Sequence, residues 1–177
     1  MAYNGFTASE SISAIPVKKL LRIALGSDER SRLTDSVKAD LDRRGHEVRL
    51  FGPLRDETQP WPDVARDVAE AVARGHADQG VLFCWTGTGV SIAANKVPGI
   101  RAALCVDAET ARGARAWNQA NVLCLSLRGT SEAVAGEILD AWFSAPADPG
   151  EAENVARLNA IDEEYRPASQ RGALAEG

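Results

Sequence analysis

A three-layer α/β/α sandwich with a mostly parallel sheet of about five strands is the fold class the sequence predicts. Three observations predict it. Short apolar runs such as "LLRIALGS" and "VLFCW" lack a polar face, as strands buried on both sides of a parallel sheet require. Between them stand segments with apolar residues at helical spacing: Leu33, Val37 and Leu41, then Val64, Val68 and Val72. The two kinds of segment alternate along the chain, and right-handed crossovers then place helices on both faces, giving a Rossmann-like arrangement.

Residues 1–20 are polar and rich in Ser and Ala, and read as a flexible arm. A single α/β domain spans 21–145. Its first strand ends at Gly26 and Ser27, and "RLTDSVKADLDRRG" follows as a helix stopped by Gly45. "HEVRLFG" is the next strand, "PLRDETQPWPD" a proline-bearing loop and "VARDVAEAVARG" the second helix. "VLFCW" is the third strand, followed by a glycine loop and a helix through "VSIAANKV". "IRAALCV", "AETARGARAWNQA", "NVLCLSLR" and "SEAVAGEILDAWFSA" continue as strand, helix, strand and amphipathic helix, with Asp107 suited to cap its helix. Residues 146–177 hold one more helix, "EAENVARLNAIDEEY", and a loose tail, "RPASQRGALAEG".

With 177 residues, 45% of them apolar, the chain suits one domain with a substantial core. The net charge of −5 and the lack of a dense Lys/Arg stripe argue against nucleic acid as a partner. No apolar run approaches the ~20 residues of a membrane helix, and the N-terminus lacks the layout of a secretory signal. A cytoplasmic protein acting on a small molecule is expected. Cys84, Cys105 and Cys124 show no metal-ligand spacing, so no metal site is expected, and no cofactor is expected either. Cys105 and Cys124 read as small buried core residues. His46 and His76 read as surface residues without a role.

Chemistry concentrates in "FCWTGTGVSIAANK", residues 83–96. It is not a Walker A loop, because Lys96 lies seven residues beyond Gly89, and Ile92 stands where a dinucleotide fingerprint needs its third glycine. A cysteine nucleophile needs a histidine nearby, and His46 and His76 fall at the amino end of the sheet. The loop does offer backbone N–H groups at a helix start beside a thiol. Those parts suit proton transfer next to a carbonyl through an enediolate.

From Arg22 to about Phe143 the sequence resembles the type B ribose-5-phosphate isomerase family, which includes the galactose-6-phosphate isomerase subunits. "RIALGSD", "GHEVRLFG", "PDVARDVAEAVARGHADQGVLFC", "TGTGVSIAANKVPGIRAALC", "NQANVLCL" and Arg128 carry the resemblance. It implies a metal-independent aldose–ketose isomerase with active sites shared across a homodimer, itself able to form a tetramer. Cys84 is then the base, Thr86 assists at the sugar oxygens, and Gly87 and Gly89 hold the enediolate near Asn118. Asp28 binds sugar hydroxyls, and Arg128 binds phosphate in the neighbouring subunit's site. The last helix and tail, 146–177, are expected to pack on the partner.

The departures bear on substrate. Glu29 replaces a histidine after Asp28, and Val106 and Trp117 stand where a ring-opening histidine is expected. Trp61 replaces a tyrosine, Trp85 a glycine, and of the C-terminal phosphate cluster only Arg157 remains, with Glu153 and Asn154 in the other places. Valine and tryptophan move no proton at neutral pH. A small acyclic sugar, phosphorylated or not, is the expected substrate, a tetrose phosphate being attractive although Glu29 and Glu153 would repel a phosphate. Glu29 is a candidate second acid/base, or else a first-turn carboxylate favoured by the helix dipole. Cys84 has a buried structural thiol as its alternative role, Asp28 helix capping, Arg128 pairing with a carboxylate, and the three tryptophans core or interface filling. An epimerase or eliminase using the same loop, and a non-catalytic partner subunit, are the competing functions.

Overall fold

The computed structural model describes residues 20–166. Nearly all of the expected arm and of the expected loose tail falls outside those residues. Five strands, β1 (Arg22–Ser27), β2 (Glu47–Phe51), β3 (Gln79–Cys84), β4 (Ala102–Leu104) and β5 (Val122–Ser126), form one parallel sheet in the order β2-β1-β3-β5-β4. Helices α1 (Arg32–Arg43), α4 (Ala108–Ala116) and α5 (Glu132–Ser144) pack on one face. Helices α2 (Trp61–Ala73) and α3 (Thr88–Ala94) pack on the other, and α6 (Ala152–Tyr165) follows the domain.

Alternation along each strand builds both cores. Ile23, Leu25, Val81, Phe83, Leu123 and Leu125 face α1, α4 and α5. Ala24, Leu82, Cys84, Val122 and Cys124 face α2 and α3. Both faces are apolar, so the central strands read as continuous apolar runs in the sequence. The second face is the tighter one. A Cβ at Gly26 would come within 2.8 Å of Val64 and Val68, and one at Gly80 within 2.9 Å of Val68, so α2 lies directly against β1 and β3.

Local chemistry sets the helix ends. Ser31 caps α1 in a reciprocal box with Thr34, Asp107 accepts from the Thr110 N–H to cap α4, and Ser131 caps α5. Gly45, with φ 84°, closes α1. Helix α3 ends three residues before the expected Val97. There the Asn95 side chain turns to Ala102, donating to its carbonyl and accepting from its N–H at 2.8 Å each, and satisfies the outer edge of β4.

Two expectations need correction. His46 is buried, not a surface residue: its Nδ1 accepts from the Leu21 N–H at 3.3 Å and its ring packs 4.6 Å from that of Phe143. It fills the gap between the start of β2 and the end of α5. Arg166, the first residue of the stretch expected to be loose, is buried and pairs with Glu163 at 2.9 Å.

The largest buried side chain, Trp142, donates its indole N–H to the Gln79 amide oxygen at 2.7 Å. Replacing Trp142 by Phe removes that donor and leaves a buried acceptor unpaired. We expect the Trp142→Phe variant to lose about 1–3 kcal/mol in urea unfolding, and the double variant with Gln79→Leu to recover part of it.

Candidate active site

Parallel register makes the strand ends level. Ser27 pairs with Phe83 and Cys84 with Ser126, so the segments after β1, β3 and β5 leave the sheet side by side. Ligands of open parallel sheets sit at these carboxyl ends. Backbone bonds lock two of the three segments together. The Cys84 carbonyl accepts from the N–H groups of Gly87 at 3.2 Å and Leu127 at 3.0 Å. The Trp85 carbonyl accepts from the Arg128 N–H at 3.1 Å and the Ser126 hydroxyl at 3.0 Å. Ser126 also accepts from the Gly129 N–H, so it joins the β5–α5 turn to the Cys84 loop.

Space and backbone require glycine at Gly87, and Gly89 is a close contact. Gly87 has φ 76°, and a Cβ there would sit 2.5 Å from Leu104 and 3.0 Å from the Leu125 backbone. A Cβ at Gly89 would meet the Trp61 ring at 3.2 Å. Trp61, the first residue of α2, therefore lies over the start of α3, with 43% of its surface exposed. Trp85 is exposed at the end of β3, and Trp117 packs against Gly113 on α4. None of these three tryptophans fills the core; Trp142 does.

Depth separates the three thiols. Cys105 and Cys124 are completely buried, whereas Cys84 keeps 6% of its surface at the strand end. Burial pushes the Cys105 thiol up to about 12 and that of Cys124 well above its ordinary value. Neither can serve as a thiolate at neutral pH. Cys84 is left as the thiol that faces the loop.

Asp28 follows β1 beside this loop. It does not cap α1, since Ser31 does. Its Oδ1 is buried with no hydrogen-bond partner among the described residues. Burial, and then the charge of Glu29, raise its carboxyl above the ordinary value. Asp28 and Glu29 line a depression of about 530 Å³ with Arg30, Asp56, Glu57 and Gln59. Arg128 is exposed, and its guanidinium pairs with no carboxylate among the described residues. Thr86 and Thr88, both exposed, share a hydroxyl–hydroxyl hydrogen bond of 2.5 Å. Sequence reasoning passed over Thr88 and Ser126, although a threonine on each side of an obligatory glycine is a readable signal.

Three expected site residues do not join this cluster within one chain. Helix α4 runs back from the carboxyl end of the sheet, so Trp117 and Asn118 fall near its amino end, where the Asn121 N–H donates to Arg101. Arg157 lies on α6 and pairs with Glu153 at 2.5 Å. Helix α6 is tied to the same end by the Gly99 N–H to Asp162 bond and the Arg101 to Asn159 bond. Among the described residues, no group of three or more His, Cys, Asp or Glu side chains is placed to hold a metal ion, and no helix is long and apolar enough to cross a membrane.

Comparison with known proteins gives consistent matches over this region. The family model described as Ribose/Galactose Isomerase matches residues 23–161. The chain is similar to ribose-5-phosphate isomerase B of Escherichia coli, 39% identical over 144 residues, covering 80% of this chain and 97% of the relative. It is also similar to D-erythrulose-4-phosphate isomerase 2 of Mycolicibacterium smegmatis, 42% identical over 145 residues, covering 80% and 95%. Ribose-5-phosphate isomerase B of Clostridium thermocellum has a solved structure that superposes with a TM-score of 0.76 at 39% identity, covering 82% of this chain and 99% of that one.

The Asp28–Glu29 pair carries a pH signature. A carboxyl raised on folding destabilises the native state as pH rises through the folded value, and the penalty vanishes below the unfolded value, ordinarily 3.8. Carbon-13 NMR titration should place Asp28 above 3.8 in the native protein and lower it in the Glu29→Gln variant, without removing the part due to burial. Asp28→Asn should raise Tm at pH 7 and lose that gain on acidification. An Asp28 midpoint at or below 3.8 would contradict the assignment.

Proposed function

The chain belongs to the ribose/galactose isomerase family, and on that premise we propose that it interconverts a four-carbon ketose phosphate with its aldose through an enediolate, with Cys84 as the base. It is a sugar phosphate isomerase; the carbon number, the base and the shared site are the proposal. One observation carries it. The Cys84 loop is built intact at the strand ends, while the positions where the resemblance implies a ring-opening histidine hold Val106 and Trp117. A four-carbon sugar esterified at O4 cannot close a furanose ring, so it needs no ring opening. The similar Mycolicibacterium protein is named for such a substrate.

The Cys84 thiolate takes a proton from C1 of the ketose, and the C–H electrons move through C1–C2 to the carbonyl oxygen. The enediolate is held by the amides around Gly87 and Gly89 and by the Thr86 hydroxyl. Cys84 returns its proton to C2. The O1 proton is lost as O2 gains one, which yields the aldehyde with every proton accounted for. Asp28 binds the sugar hydroxyls, and Glu29 beside it supplies a second proton-transfer group at the oxygens.

Arg128, whose guanidinium pairs with no carboxylate among the described residues, holds phosphate in the neighbouring subunit's site. Glu153 opposes that less than its charge suggests, because it is bonded to Arg157. The exposed Leu158, Ile161 and Tyr165 of α6 pack on a second copy in a cytoplasmic homodimer, whose Asn118, Trp117 and Arg157 complete the site. Trp61 and Trp85 narrow it to a short sugar.

The test is solvent deuterium incorporation, followed by NMR, with erythrulose 4-phosphate and ribose 5-phosphate. Exchange should be faster with the four-carbon substrate. Cys84→Ala should reduce it by at least about 100-fold. Absence of exchange with the tetrulose phosphate, or an undiminished rate in Cys84→Ala, would refute the proposal.

A further inference from the structure

The Thr86 and Thr88 hydroxyls meet at 2.5 Å across Gly87. The proposed reaction uses Thr86 and gives Thr88 nothing to do. Yet the backbone around the pair has little room to move. Gly87 is lodged against Leu104 and the Leu125 backbone in a left-handed conformation, and Gly89 lies under Trp61. Thr88 is the first residue of α3, and the Gly87 carbonyl already accepts the Ser91 N–H at 3.2 Å. The side chain of Thr88 is thus carried by a rigid element, while that of Thr86 stands in the loop.

We propose that Thr88 is a positioning residue that aims the Thr86 hydroxyl proton at the enediolate oxygen, an inference that rests on the isomerase reading above. A hydroxyl has one proton and two lone pairs. Two bonded hydroxyls therefore use one proton between themselves and leave the other free. Without substrate either oxygen can be the donor. An oxyanion beyond Thr86 selects one order: Thr88 donates to Thr86, and Thr86 donates to the substrate. Each bond polarises the next and strengthens it. Without the Thr88 hydroxyl, the Thr86 side chain is free to visit its other staggered rotamers, and its proton points at the substrate for part of the time only. The cost falls on the state in which negative charge has developed, so it appears in kcat rather than in KM.

Thr88→Val removes the hydroxyl and keeps the shape, and α3 has no side-chain cap to lose. On the tetrulose phosphate, kcat should fall about tenfold with KM within about twofold, and Thr88→Ser should restore most of the rate. A second readout does not depend on turnover. Three-bond couplings from the Thr86 methyl carbon to the backbone report its χ1 angle, which should be a single rotamer in the native protein and in Thr88→Ser, and averaged in Thr88→Val. A rate within about twofold of native in Thr88→Val, a loss that serine does not rescue, or couplings unchanged by Val would each overturn the role of Thr88. If the native protein turns over no sugar phosphate, the isomerase reading falls, and the couplings still decide whether Thr88 holds Thr86.

Discussion

The close approach of Gly87 to the sheet is the constraint on which the carboxyl end of this molecule depends. Its backbone enters the left-handed region and rests on the Leu125 backbone with the Leu104 side chain beside it. No side chain fits there, so the loop after β3 has one path. That path folds the Gly87 N–H back onto the Cys84 carbonyl and starts α3 at Thr88. It also leaves the Trp85 carbonyl free to receive Ser126 and Arg128. The thiol, the two hydroxyls and the arginine turn are consequently parts of one rigid body.

Depth and pairing then divide the labour among similar groups. Three cysteines lie close together, but burial keeps the thiols of Cys105 and Cys124 protonated, and only Cys84, at the end of β3, keeps part of its surface exposed. Arginines are treated in the same way. Arg22, Arg44 and Arg66 are engaged by Asp78, Asp40 and Asp67 respectively, whereas Arg128 is held by its backbone and pairs with no carboxylate among the described residues. The carboxylates after β1 show the opposite arrangement, with Asp28 partly desolvated beside Glu29.

Most of the fold was legible because both strand faces and both helix layers leave a plain periodic signature. Val64 and Val68, read as one helix stripe, do contact the sheet, and Asp107 caps the helix it was expected to cap. Two of the misreadings share one physical cause, namely side chains whose partner lies outside their own helix or strand. His46 was read as a surface residue because nothing near it announces Leu21 or Phe143. Helix α3 was drawn too long because the bond from Asn95 to Ala102 is invisible to periodicity. Trp117 and Asn118 are a different case: α4 takes them to the other end of the sheet within one chain, which periodicity and motif order do not reveal.

By itself the sequence determined the layer order, the parallel strands, the glycines of the turn and the family whose chemistry the Cys84 loop resembles. These are properties of neighbours along the chain, set by apolar period and by which residues tolerate a left-handed backbone. Tertiary structure alone decided that Ser126 latches the loop, that Arg128 is anchored by its backbone to Trp85, that Cys105 and Cys124 are sealed, and that Thr88 touches Thr86. Each of those facts depends on register or burial, quantities that exist only once the strands lie side by side.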